Sequence, residues 1–221
     1  MPDPALMSVR SPESTSAIGP RIRPGGRSDI GVVNMALAQL LAVATGGGPP
    51  HVFTTLARHR RLFRRWLRFA AALMPGGLLP RAESELVILR VAHNCGCDYE
   101  WHHHERLAAT AGLSVEEIQR VREGPSAAGW SPRRTLILAV VDELHADRNI
   151  SDATWSSLAA ILTEAELIEL CMLVGHYEML AMTLNALSVE LDDVPSGPPT
   201  LSMRMLRTIA RRRGRGMEQA R

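Results

Sequence analysis

The chain has 221 residues, enough for one substantial core, a net charge of only +2, and 4% aromatic residues. So small a charge excludes strong composition-driven attraction to nucleic acid, and the Ala- and Leu-rich make-up points to helices rather than a β-sandwich. All 25 basic residues are Arg, which excludes Schiff-base chemistry on a lysine.

Residues 1–29 are rich in Pro, Ser, Gly and Arg, show no hydrophobic period, and are expected to form a disordered leader. A short helix is predicted over 32–44, ended by Gly46-Gly-Gly-Pro-Pro50. Apolar residues at Phe53, Leu56, Phe63, Trp66, Leu67, Ala70 and Met74 predict one helix over 52–74, stopped by Pro75-Gly-Gly. Its opposite face carries Arg58, Arg60, Arg61, Arg64, Arg65 and Arg68, read as a solvated or subunit-facing surface. The next helix is predicted over 81–94 and broken by Gly96. Another begins with Asp98 as its N-cap and ends before Gly112. Ser114 with Glu117, and Thr163 with Glu166, fit capping boxes. Ser131-Pro132 places a cap before a proline at the first helical position, and Ser151 starts a further helix. The last major helix is predicted over 165–187.

No segment carries a strand pattern. The expected fold is all-α over 30–192, followed by a Pro-rich linker and basic tail over 193–221. The mild apolar run over 30–45 is interrupted by Asn34 and Gln39 and is shorter than the roughly 20 residues of a membrane span, so no membrane partner is expected. Pro2, Asp3 and Pro4 stand where a signal peptide would place its basic and apolar regions. Three cysteines, Cys95, Cys97 and Cys171, make no even disulfide framework. A reducing, cytoplasmic compartment follows as the expectation.

The densest chemistry lies in Cys95-Gly-Cys-Asp-Tyr-Glu-Trp-His-His-His104, with Glu85 twelve residues before Cys97. Residues four apart on a helix share a face, so Glu100 and His104 can meet; His103 flanks that face and His102 points elsewhere. Cys97 precedes the helix, where free N–H groups and the helix dipole favour a thiolate. A tight turn at Gly96 folds the Glu85 helix back, which can gather Glu85, Cys97, Glu100 and His104 around one pocket. Tyr99, Trp101, His103 and His176 are further candidates for its lining. The bland alternative makes Cys97 a small core residue and Glu100 and His104 a surface pair. Glu100, His103, His104 and His93 offer metal-ligand types, but no zinc-signature spacing is present, so neither metal nor cofactor is expected. Cys95 and Cys97 are spaced by one residue, not the two of the usual redox pair. The run Arg211-Arg-Arg-Gly-Arg215 can hold phosphates only non-specifically, so no specific nucleic-acid partner is expected.

These residues resemble the carboxymuconolactone decarboxylase and alkylhydroperoxidase D-like superfamily. The likeness runs through Glu85-Leu-Val-Ile-Leu-Arg-Val-Ala92, Cys97 to His104, Ala108 to Gly112, Asp142-Glu-Leu-His145, Ile150 to Thr154 and Glu169 to Asn185. It implies an alkylhydroperoxidase D-like helical domain that assembles as a homo-oligomer. It also implies that Glu85 stands for the peroxidase glutamate, Cys97 for the first cysteine of Cys-x-x-Cys, and His104 for the histidine. Glu100 occupies the second cysteine's place, and Tyr99 stands where a peroxidase can carry another histidine. The second thiol is the attacking one in that scheme, so its disulfide chemistry does not carry over. Decarboxylase-type members lack the cysteine pair and are more similar at Glu100-Trp-His-His-His104.

The first reading is therefore a lyase performing cofactor-independent acid/base chemistry, decarboxylation or a related step, on a small organic acid or lactone. In it Glu85 orients His104, and His104 or Glu100 moves the proton. The second is a thiol peroxidase using Cys97, resolved by Cys95 or an external thiol. The third is a non-catalytic oligomeric helical protein.

Overall fold

The computed structural model describes residues 19–45 and 48–192. Among them are nine α-helices and no strand, in agreement with the all-α expectation. They are α1 (Arg27–Thr45), α2 (His51–Leu56), α3 (Arg60–Leu73), α4 (Arg81–Asn94), α5 (Asp98–Thr110), α6 (Val115–Arg120), α7 (Pro132–Asp147), α8 (Asp152–Ala159) and α9 (Glu164–Leu187). The tail beyond residue 192 lies outside the described residues, as does most of the expected leader.

Helix α4 is the axis of the fold. Leu86, Val87, Ile88, Leu89, Val91 and Ala92 are all buried, so it has no solvent face and belongs to the interior. Val87, Ile88 and Val91 join Ile137, Val140 and Val141 of α7 and Leu170, Leu173, Val174 and Tyr177 of α9 in the main core. Leu86, Leu89 and Ala92 face a second cluster with Trp101, Ala108, Ile118, Val121 and Leu138. Two ion pairs tie α4 to α7. Arg90 clasps Asp142 through both arms at 2.6 and 2.8 Å, and Arg133 does the same to Glu83 at 2.7 and 2.9 Å.

The end of α4 sets the position of everything in the candidate site. Cys95 donates its N–H to Val91 and Cys97 donates to Ala92, which closes the last turn. Gly96 takes φ 56, the left-handed region where a side chain is costly, and the chain re-enters a helix after one more residue. The cap of α5 is Cys97 rather than Asp98, which lies one position inside. Both expected capping boxes form, and Ser131 and Ser151 cap α7 and α8 through their hydroxyls.

Two expectations need correction. The helix predicted over 52–74 is broken at Ala57–His59, where the His59 ring accepts the Leu62 N–H and caps α3. Periodicity survives such a break because both halves bury toward the same aromatic cluster of Phe53, Phe63 and Trp66. The first helix starts at Arg27 and is kinked at Gly31, with φ 81 and ψ 162. The segment before it is held to the body. Arg21 donates its N–H to Leu187, Gly25 donates to Thr54, and Arg58 and Arg60 reach back to carbonyls of Arg23, Ser28 and Asp29. Part of the arginine-rich face thus serves as clamps for residues 19–29.

Among the described residues, helix α9 and not the run over 30–45 is the one helix long and apolar enough to cross a membrane. More than half of that stretch is buried inside the fold, as expected of a core helix. Its outward face carries Ile168, Met172, Gly175, Met179 and Met182, all exposed and spaced alternately by four and three residues.

Candidate active site

Glu85, in the buried middle of α4, is 0% exposed. A carboxylate so placed needs partners on both oxygens. Oε2 lies 2.7 Å from His104 Nδ1 on α5, and Oε1 lies 2.6 Å from the Arg81 guanidinium one turn earlier on α4, an ion pair without hydrogen-bond geometry. Arg81 is a cation at any working pH, so Glu85 acts as acceptor. His104 Nδ1 then carries the hydrogen toward Glu85, and Nε2 is the ring nitrogen outside that pair. This is the arrangement of an oriented proton acceptor.

Glu100 lies one turn before His104 on the same helix and is 2% exposed. Neither of its carboxyl oxygens has a hydrogen-bond partner in the structure. Burial, reinforced by the nearby Glu178, pushes its carboxyl well above the ordinary carboxylate range. A neutral carboxylic acid can donate a proton, and this one has no protein acceptor to give it to. Tyr177 of α9 packs beside His104. Its ring meets the His104 ring edge-on at 5.2 Å, and its phenol is held up by burial and then by Glu85 and Glu100.

The thiols behave differently from the expectation at a helix start. Cys97 is 1% exposed, and burial and then Glu100 raise its thiol to about 12, although the Glu100 N–H works the other way. Desolvation in the main core outweighs the helix dipole here. Cys95 is also lifted to about 12, by burial and then by Glu178. All three cysteines are free.

The remaining candidates divide. His103 stacks on Tyr99 and meets His104 edge-on at 5.3 Å; burial and His104 lower it to about 3. Tyr99 turns to a structural task, accepting the Val52 N–H and donating to Asp192 at 2.8 Å. His176 sits in an aromatic box of Trp66, Phe69 and Tyr177, lowered to about 4 by burial. It reaches the pocket only through its neighbour Tyr177. Trp101 points away altogether, into the second cluster, where Arg122 lies 3.9 Å from its ring centre. His93 follows it, meeting Trp101 edge-on, so the metal set considered from the sequence is not assembled.

Sequence reasoning missed Arg81 and Tyr177. Arg81 was legible, since it stands four residues before Glu85 on a predicted helix. Tyr177 had no local signal beyond adjacency to His176; its role comes from α9 crossing α4 and α5.

Comparison with known proteins supports the resemblance. Residues 60–143, which hold Glu85, Cys97, Glu100 and His104, match the Carboxymuconolactone decarboxylase family. The fold is shared with the alkylhydroperoxidase AhpD core of an uncharacterized peroxidase-related protein from Ralstonia eutropha JMP134. That chain is 18% identical, with 78% of this chain and 93% of that one covered at a TM-score of 0.68. An uncharacterized peroxidase-related protein from Silicibacter sp. TM1040 is 14% identical over 81% of this chain and 96% of that one, at 0.69. A variant of the debrominase Bmp8 in complex with 2,3,4-tribromopyrrole is 13% identical over 87% and 97%, at 0.67. At these identities the likeness is one of fold. No curated protein matches the chain.

The raised Glu100 carboxyl has a consequence for stability. The folded protein keeps the proton above 4.5, where the unfolded chain has lost it, so stability falls as pH rises through that window. Glu100→Gln removes the penalty. Its melting temperature should equal that of the native protein below pH 4.5 and exceed it increasingly above. Parallel curves across the whole range would contradict a protonated Glu100.

Proposed function

We propose that this chain is a lyase-type acid/base enzyme that decarboxylates a small organic acid or carboxylated lactone. The observation that carries this reading is Glu100, a buried carboxyl with two unpartnered oxygens, one helical turn from the Glu85–His104 pair. When the carbon–carboxylate bond breaks, carbon dioxide leaves and the electron pair stays on the substrate carbon. Glu100 supplies the proton that this carbon takes up and regains one from water. His104, with Glu85 bracing Nδ1, accepts a hydrogen bond at Nε2 from a substrate hydroxyl and holds the carbon skeleton in register. Proton transfer by such a positioned group contributes about 10²–10⁴-fold.

What supports this reading over a thiol peroxidase is the state of the sulfurs. A peroxidatic thiol has to ionise near neutral pH, and both Cys95 and Cys97 are pushed up to about 12. Position 100 also offers a carboxyl where that chemistry needs a second thiol.

We further propose that the chain self-associates through the exposed face of α9. Ile168, Met172, Met179 and Met182 form one apolar row, and a side chain added at Gly175 would meet nothing within 4 Å. A second copy of the same helix can lie close across such a row. Light scattering should show a species larger than the 24.2 kDa chain. Met172→Glu with Met179→Glu should reduce it to that mass. A native monomer at micromolar concentration would contradict the proposal.

The activity test is carbon dioxide release from a panel of small carboxylic acids and carboxylated lactones. Glu85→Gln, His104→Gln and Glu100→Gln should each lower the rate by roughly 100-fold or more with the helical content kept. Glu85→Gln combined with His104→Gln should be little worse than either alone, because the two act as a unit. Peroxide with a dithiol donor should not turn over. Fast peroxide reduction that disappears in Cys97→Ser would promote the thiol reading instead.

A further inference from the structure

Close enough to Glu100 for two of them to interact with it electrostatically, three residues from three helices converge. They are Cys95 at the end of α4, His145 in the last turn of α7, and Glu178 in the middle of α9. Their donor atoms, a thiol sulfur, a ring nitrogen and a carboxylate oxygen, all lie within 4.8 Å of one another. His145 Nδ1 is 2.6 Å from Glu178 Oε1.

We propose that Cys95, His145 and Glu178 hold a divalent metal ion of the zinc class. Zinc binds sulfur at about 2.3 Å and nitrogen or oxygen at about 2.0–2.2 Å. A tetrahedral set of such bonds places neighbouring donor atoms about 3.3–3.8 Å apart, so side-chain shifts of about 1 Å suffice. The ion takes the place of the hydrogen between His145 and Glu178. Thiolate and carboxylate together supply two negative charges for a divalent cation, with a neutral imidazole as third donor. The sulfur and nitrogen donors select zinc over magnesium or calcium, which prefer all-oxygen shells.

Two features of the surroundings support an ion rather than a plain hydrogen-bond network. Glu100 is buried with both oxygens unpartnered, and it acts electrostatically on both Cys95 and Glu178. The Glu178 carboxylate therefore shares a half-buried place with a thiol and an unpartnered carboxyl, with little fixed positive charge beside it. The cation that does reach Glu178 is Arg148, at 3.4 Å, with a side chain 68% exposed and free to swing into solvent. Moreover, the three donors sit on packed helices, not loops, which fixes their spacing before any ion arrives. The pattern is invisible to a motif search, because positions 95, 145 and 178 have no short spacing. Three protein donors leave a fourth position open for water or a ligand oxygen.

The test uses the full chain stripped with a chelator and titrated with zinc or cobalt(II). One ion should remain per chain after dialysis, and the cobalt form should show sulfur-to-metal charge-transfer absorption. Metal uptake should release the Cys95 proton. Cys95→Ser should abolish the charge-transfer band, and His145→Ala should weaken binding by at least about 100-fold, since a lost direct ligand costs more than a lost supporting partner. Cys97→Ser should keep the band. His145→Ala serves as the second probe should Cys95→Ser fold poorly, with circular dichroism as the check. No retained metal, or a band that survives Cys95→Ser, would overturn the proposal. Because the readout is metal content and spectrum, it stands or falls independently of any decarboxylase activity.

Discussion

A carboxylate sealed from water has to be answered, and Glu85 is answered on both sides. Arg81 meets one oxygen and His104 the other, at 2.6 and 2.7 Å. Leaving either side open would strand a charge in the core at a cost of several kcal/mol. That requirement fixes the rotation of α4, the docking of α5 against it, and the tautomer of His104. The turn at Gly96 and the cap at Cys97 follow as the geometry that lets α5 return along α4. The site is therefore a by-product of satisfying one buried charge, and it is held by helices rather than by loops.

Around that pair the same burial acts in opposite senses on different groups. It keeps a proton on Glu100 and on the thiols of Cys95 and Cys97, and it keeps protons off His103 and His176. The neighbourhood is thus poor in charge away from the Glu85 pair. The Cys97 thiol in such surroundings is a core residue, whereas the Glu100 carboxyl there holds its proton well above the ordinary carboxylate range.

Much of this was legible in the sequence. Helices α6 to α9 announce themselves through caps, and Ser114, Ser131, Ser151 and Thr163 act as their spacing requires. The pairing of Glu85 with His104 followed from the turn between two helices. What stayed hidden depends on third parties. The break at His59 conserves the apolar period on both sides, so periodicity could not reveal it. Trp101 lies one residue from Glu100, yet the helix turn sends it to the other cluster. The thiol of Cys97 was expected to ionise because the helix dipole is readable from sequence, while the desolvation that defeats it comes from burial in the main core. Tyr177, His145 and Glu178 enter only when distant helices cross.

The central claim is that Glu100 is a neutral acid beside an oriented His104. Difference infrared spectroscopy on the chelator-treated protein, native minus Glu100→Gln, addresses it directly at neutral pH. A protonated carboxyl stretch present in the native protein and missing in the variant is the predicted result. A difference spectrum containing only ionised carboxylate bands would contradict the account.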